Sequence, residues 1–305
     1  MTLTTVIDLV RRGPPFRTAG HFRRYGAGNA PTFTAARAAV MAVDPTARFV
    51  TLVQGPEPAI PLDHVALLVA AHAYPGLDIG RSIDRLDGLA AGCDDHSFAG
   101  VIHHVVTDEK FAGHRDDYYD PRNSFLNDVI ERRLGIPITL GIVAIEIGRR
   151  IGVPIVGIGM PGHFLVRDAM SRERYADVFD GRLLDRDGCR ELFAAAQSPE
   201  AFDDSVLAPV GTRAIVARLL ANLKGIYLSR RDRRSLAWVL KLRAEVPGVP
   251  LDERRELASA LAADGRFLDA AAELDRLAEL AEEAGDAELV EDSTRGATRL
   301  RARLN

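Results

Sequence analysis

Residues 135–167 read GIPITLGIVAIEIGRRIGVPIVGIGMPGHFLVR, and the class of the fold turns on this stretch. Gly135 and Pro137 break whatever helix precedes them. Pro137 also suits the first turn of a new helix, where its missing N–H costs nothing. Over 138–151, Leu140, Ile142, Val143, Ile145 and Ile147 occupy most faces, which predicts a helix buried on nearly all sides. Gly152-Val153-Pro154 stops it. The β-branched run at 155–159 predicts a strand, Pro161-Gly162 a turn, and the alternation over 163–167 a second strand. A third strand over 175–179 ends at Asp180-Gly181, which has the composition of a tight turn. One buried helix followed by short consecutive strands predicts an α+β core, with the helix packed on a small antiparallel sheet.

Working outward, the segment from Pro61 places Leu62, Val65, Ala66, Leu68, Val69 and His72 at three- and four-residue spacing and stops at Pro75-Gly76, which predicts a helix. Further helices are expected over 79–92, 98–106 and 125–134. Residues 1–48 mix Gly, Pro and Arg around one helical candidate, 33–43, and read as an extension. Beyond about Ser198 no strand pattern remains. Helices are expected over 212–228, 233–245, 251–263, 267–284 and 287–304. Gly265-Arg266-Phe267-Leu268-Asp269-Ala270 has the small-aromatic-small spacing of tetratricopeptide helix joints. A short helical-repeat tail is therefore expected, with an ordinary bundle as the alternative. The predicted division is 1–48, 49–204 and 205–305.

Composition narrows the function classes. The 305 residues are 47% hydrophobic and 27% charged, and 39 basic against 43 acidic residues leave a net charge of -4. This argues against a general polyanion binder, so no nucleic-acid partner is expected. Arginine greatly outnumbers lysine but is spread along the whole chain beside abundant Ala and Gly, as a GC-rich genome would produce. Two cysteines, Cys93 and Cys189, are too few for a disulfide framework and suggest reduced thiols in a cytoplasmic protein. No window approaches the roughly 20 apolar residues of a membrane span, so no membrane partner is expected either.

Several polar clusters carry residue types suited to chemistry. His103, His104 and His114 lie near Asp108, Glu109, Asp116 and Asp117, but their spacing matches no helical ligand pair. Neither a metal nor a cofactor is expected. The run Arg230-Arg231-Asp232-Arg233-Arg234 could grip an anion; a solvated helix junction is the favoured reading. Asp120, Asn123 and Ser124 suit capping and turns. A sharper reading sends Asn123 into a cleft, with Asp120, Ser124 and Asp180 lining it.

Tyr119-Asp120-Pro121-Arg122-Asn123-Ser124-Phe125-Leu126, Arg133-Leu134-Gly135-Ile136-Pro137-Ile138-Thr139-Leu140 and Pro161-Gly162-His163-Phe164-Leu165-Val166-Arg167 resemble the signature segments of the SirB-type transglutaminase-like proteins. Ala221-Asn222-Leu223-Lys224-Gly225-Ile226-Tyr227 is similar to that family's Asn-Leu-Lys-x-Ile-Tyr helix. The resemblance implies a papain/transglutaminase-like core followed by tetratricopeptide-like helices. It also implies a nucleophile at a helix N-terminus facing a histidine on one strand, with a carboxylate on the next strand orienting the imidazole. His163 and Asp177 stand where that base and orienter would be. Counting back from Gly152-Val153-Pro154 lands the nucleophile on Pro137 or its neighbours Ile138 and Thr139. No cysteine or serine lies between 135 and 152, and Thr139 is the only hydroxyl. The expected function is accordingly a non-catalytic binding or regulatory module, with a helical tail engaging a protein partner. The alternative is an acyl-transfer or amide-hydrolysing enzyme using His163, Asp177 and Thr139 or a water. If the cleft is non-catalytic, His163 and Asp177 are still expected to hydrogen-bond, and His163→Ala to cost more stability than Thr139→Ala. In the enzyme reading both substitutions abolish turnover with little change in melting temperature.

Overall fold

The computed structural model describes residues 44–196 and 202–303. The helix expected over 33–43 lies outside the described residues. The first described helix, α1 (Pro45–Val53), is capped by Asp44, whose side chain accepts from the Thr46 N–H, and it buries Phe49 and Val53. The helix thus begins inside the segment read from sequence as an extension, and its buried residues lie just beyond residue 48. α2 (Leu62–Ala73), α3 (Ile79–Ala91) and α4 (Phe98–His103) follow, the last continuing as one wide π-turn over His104–Asp108. A short parallel pair, β1 (Ala112–Gly113) with β2 (Leu134–Gly135), brackets a 3-10 turn at Pro121–Ser124 and α5 (Leu126–Arg132).

The central helix α6 (Pro137–Arg150) is buried along nearly its whole length, Glu146 included, as its apolar faces predict. Two glycines let the sheet approach it. A Cβ at Gly148 would lie 2.7 Å from the Val153 carbonyl oxygen, and one at Gly141 would lie 2.6 Å from the Phe164 ring. The sheet comprises β3 (Ile155–Ile158), β4 (Leu165–Asp168), β5 (Tyr175–Asp177), β6 (Arg182–Leu184) and β7 (Pro209–Val210), in the order β6-β5-β4-β3-β7. All its neighbours are antiparallel. Alternation decides its two faces. Val166 and Ala176, paired across β4 and β5, join the core around α6. Leu165 and Tyr175 turn the other way, into a second cluster with Cys189 and Phe193 of α7 (Arg186–Ala195).

Sequence reading missed β6 and β7. Leu183 is 56% exposed, so β6 lacks clean alternation. β7 is two residues long, and proline on an edge strand is a weak signal. β7 also corrects the expectation that strands end near Ser198. Five helices complete the chain: α8 (Thr212–Arg230), α9 (Arg233–Ala244), α10 (Asp252–Ala263), α11 (Phe267–Ala284) and α12 (Ala287–Ala302). The hydrophobic core runs across 204/205. Ile215, Val216, Leu219, Leu220 and Leu223 of α8, with Val239 and Leu242 of α9, belong to the same cluster as α2 and α6. A separate, smaller cluster joins Leu240 to Leu257, Leu261 and Ala270. Among the described residues, no helix is long and apolar enough to cross a membrane.

Candidate functional site

The N-terminus of α6 is where a papain-like nucleophile would stand, and its polar groups can be traced individually. Thr139 is fully buried. Its Oγ1 accepts from the Ile136 N–H at 3.1 Å, which satisfies one of the helix's orphan donors. The hydroxyl lies 2.7 Å from the Asn123 carbonyl oxygen and 3.1 Å from the Ile136 carbonyl oxygen. Its single proton is therefore spent on a buried carbonyl, and among the described residues no base is hydrogen-bonded to it. Thr139 thereby ties the Pro121–Ser124 turn to the start of α6.

Asn123 is equally committed. Its Nδ2 donates to the carbonyls of Asp117 (2.8 Å) and Tyr118 (3.3 Å), so Oδ1 is left to accept. Oδ1 lies 3.0 Å from His114 Nδ1 and 3.3 Å from Arg132 Nη1. Both N–H groups of the amide are thus engaged by backbone carbonyls. With Oδ1 as the acceptor, His114 Nδ1 is the donor of this hydrogen bond. Asp120 caps the same turn through the Arg122 N–H. Burial alone would raise its carboxyl, but the Arg122 side chain and N–H hold it below the ordinary value. Ser124 is fully buried, and its Oγ has no hydrogen-bond partner.

His163 and Asp177 lie on the sheet side of this corner. Asp177 is 3% exposed, and burial raises its carboxyl above the ordinary value. Its Oδ1 accepts from the N–H groups of Phe179 (3.0 Å) and Asp180 (3.2 Å). Among the described residues no hydrogen bond or ion pair joins it to His163, which acts on it only at a distance. The expected pairing is thus overturned, because the β5–β6 turn supplies the donors that a buried carboxylate requires. Asp180 pairs instead with Arg115, whose guanidinium lies 5.1 Å from the centre of the Phe179 ring.

The segment 113–118 links the two groups. Gly113 N–H donates to the Phe179 carbonyl at 3.3 Å, while His114 reaches Asn123. Thr139, Asn123 and Asp120 sit on one side of it, Asp177 and Asp180 on the other. Two residues of this corner were not singled out for it in the sequence. His114 sits in an acidic stretch of sequence that gives no signal of its partner. Arg218 of α8 donates to the carbonyls of Met160 (3.1 Å) and His163 (2.8 Å), fixing the turn that carries His163. Its only trace in the sequence is one cation beside the apolar positions Ile215 and Leu219.

Neither thiol is near. Cys93 follows α3, where burial and the adjacent Asp95 and Asp94 push its pKa up. Cys189 is buried in α7 and pushed up to about 12 by burial. Raised values suppress the thiolate that reacts. Among the described residues, no three His, Cys, Asp or Glu side chains are grouped to hold a metal.

These hydrogen bonds reverse the expected ranking of two substitutions. Thr139→Ala leaves a buried carbonyl and a buried N–H without their partner and is expected to cost roughly 2 kcal/mol. His163→Ala removes no hydrogen bond that holds the core and is expected to cost less than about 1 kcal/mol. Denaturant midpoints at unchanged slope measure both. The assignment fails if the histidine variant is the less stable.

Residues 79–221 match the family model described as "Transglutaminase-like superfamily". A UPF0162 protein of Xylella fastidiosa (strain Temecula1) is 39% identical over 211 residues, 63% of this chain and 74% of that protein. A UPF0162 protein of Pseudomonas aeruginosa is 31% identical over 176 residues, 54% of this chain and 64% of the relative. F-box only protein 21 of Homo sapiens is 30% identical over 138 residues, 43% of this chain and 22% of that protein. No solved structure gives a match. With the central helix, the antiparallel sheet and these likenesses in agreement, the chain belongs to the UPF0162 family and carries a transglutaminase-like domain.

Proposed function

We propose that this protein is a non-catalytic, SirB-type member of the transglutaminase-like group that works by binding. Its C-terminal helices, in a tetratricopeptide-like arrangement, engage a protein partner. The observation that carries this reading is the commitment of Thr139 at the start of α6, where its hydroxyl is hydrogen-bonded to the Asn123 carbonyl. A nucleophile needs a base to take its proton, and here the proton already has an acceptor. His163 and Asp177 then serve as parts of the sheet and its turns. Two free thiols suit a reducing compartment, which puts the proposed role in the cytoplasm.

The test is a turnover assay on the full chain. Glutamine-bearing peptides with a primary amine acceptor, and nitrophenyl esters, are offered to the parent protein and to a His163→Ala/Asp177→Ala variant. Ammonia or nitrophenol release is expected at the same background level for both. Release by the parent that the double variant loses would replace this reading with the acyl-transfer one.

A further inference from the structure

A groove of about 700 Å³ lies where α9 faces α10 and α11, closed at one side by His72 of α2. Its apolar lining includes Trp238, Leu257 and Leu261. Trp238 stacks on His72, with ring centroids 5.3 Å apart and planes 23° apart, and meets Tyr227 edge-on at 6.0 Å. Two rings thus hold it in place. Burial keeps His72 below its ordinary pKa, and its two nitrogens are taken by the Leu68 carbonyl and the Thr46 hydroxyl. The imidazole is therefore neutral and adds no charge to the groove.

The charge comes from one wall. Arg233, Arg234 and Lys241 line the groove and are exposed, and among the described residues none of the three forms an ion pair. Elsewhere the cations of this region are matched. Arg266 holds Asp269 at 2.8 Å, Arg254 holds Glu273 at 2.6 Å, and Lys224 and Arg243 share Glu253. Of the groove's three acids, two are already neutralised by arginines, which leaves Asp264. Three cations without ion pairs beside an anchored indole make a face that is basic and apolar together.

We infer that this groove binds an acidic, extended segment of a partner polypeptide, placing carboxylates against Arg233, Arg234 and Lys241 and an apolar side chain against Trp238. The inference deepens the binding reading and rests on it. Arginine forks match carboxylates bidentately. An aromatic anchor with a charged rim is what recognition surfaces commonly use. A polypeptide fits better than a nucleic acid because the groove that holds the cations is also lined by Asp264, which has no ion pair among the described residues. A continuous phosphate chain would pass that carboxylate, whereas a peptide can place an apolar or basic residue there.

Trp238 is the only tryptophan in the chain, so its emission reports on the groove alone. The probe is a short fluorescein-labelled peptide alternating Glu and Leu, followed by anisotropy, with the unlabelled peptide used for the indole emission. Saturable binding is expected, with a shift in Trp238 emission and weakening as salt rises. Arg233→Glu/Arg234→Glu should lower affinity roughly tenfold or more, with an unchanged melting temperature confirming an intact fold. The inference is overturned if a control peptide with Gln in place of every Glu binds equally well, or if a single-stranded oligonucleotide of equal charge binds as tightly as the acidic peptide. It is also overturned if the face proves to be filled by a second copy, seen as a dimer that the double variant dissolves. Turnover in the assay above would sink the non-catalytic reading without altering these titrations.

Discussion

Replacing Arg150 with methionine is expected to destabilise the protein by roughly 3 kcal/mol at neutral pH, because it strips a buried carboxylate pair of its central cation. Arg150 ends α6 with a 10% exposed side chain. It contacts Asp63 at 2.7 Å and Glu146 at 2.6 Å, both nearly inaccessible, and Asp87 at 2.6 Å. Burial alone would raise the Asp63 carboxyl, but hydrogen bonds from His64 and Arg150 outweigh it and hold it well below the usual carboxylate range. Glu146 lies above its ordinary value, through burial first and then the Asp63 charge. Arg149, at 3.2 Å from Asp63 and 2.8 Å from Glu146, retains part of the attraction but is 59% exposed. The pH dependence has a definite sign. Losing the cation raises both carboxyl pKa values in the folded state. A raised group stabilises the fold below its unfolded pKa and ceases to do so as pH rises through the folded one. The deficit of Arg150→Met should therefore be largest near pH 7.5 and shrink toward pH 5. Thermal unfolding of parent and variant at both pH values checks this. A deficit that grows on acidification would show that the cation is not what holds the pair.

Phe164→Ala is expected to cost 3–5 kcal/mol, the usual range for truncating a fully buried aromatic (about 3–5). Phe164 follows His163 and is 2% exposed. Glycines frame it on two sides: a Cβ at Gly141 would approach the ring to 2.6 Å and one at Gly157 to 2.7 Å. The Arg218 guanidinium lies 5.8 Å from its centre. The ring therefore keys α6, β3 and α8 to one another. Gly141→Ala overpacks the same space and should cost roughly 1–3 kcal/mol. Combined with Phe164→Leu, it should cost less than the sum of the two changes, because the smaller side chain yields room to the new methyl. A double-mutant cycle in urea measures the coupling. Additive costs would mean that the ring and the glycine do not share a space.

The elements legible in the sequence are those with strong periodicity. α6 was readable because apolar residues cover most of its faces, and α11 because its apolar stripe is uninterrupted over 267–284. The π-turn at His104–Asp108 and the two-residue strands carry no periodic signal, since their geometry comes from tertiary partners such as the Leu89 carbonyl bound by His104 Nε2 at 2.9 Å. The corner was legible in its residue types and not in its pairings. Thr139 meets the Asn123 carbonyl at the start of α6, while Asp177 is held by the turn that follows β5. Which hydrogen bond each makes depends on loop backbone, namely the carbonyls of Asp117 and Tyr118 and the N–H groups of Phe179 and Asp180. A sequence read for side chains leaves those partners out.

The sharing of one core by α2, α6, α8 and α9 also bears on how the chain is made. On a ribosome the sheet emerges before the helices that seal its neighbour α6. From Leu184 to Val246 is roughly 60 residues, several seconds of synthesis at ~5–20 residues per second. Through that interval the apolar flank that α8 will cover stays open to water and to other nascent chains. A stop codon placed after β6 would release a chain with that flank still uncovered, and such a product is expected to be degraded or to aggregate.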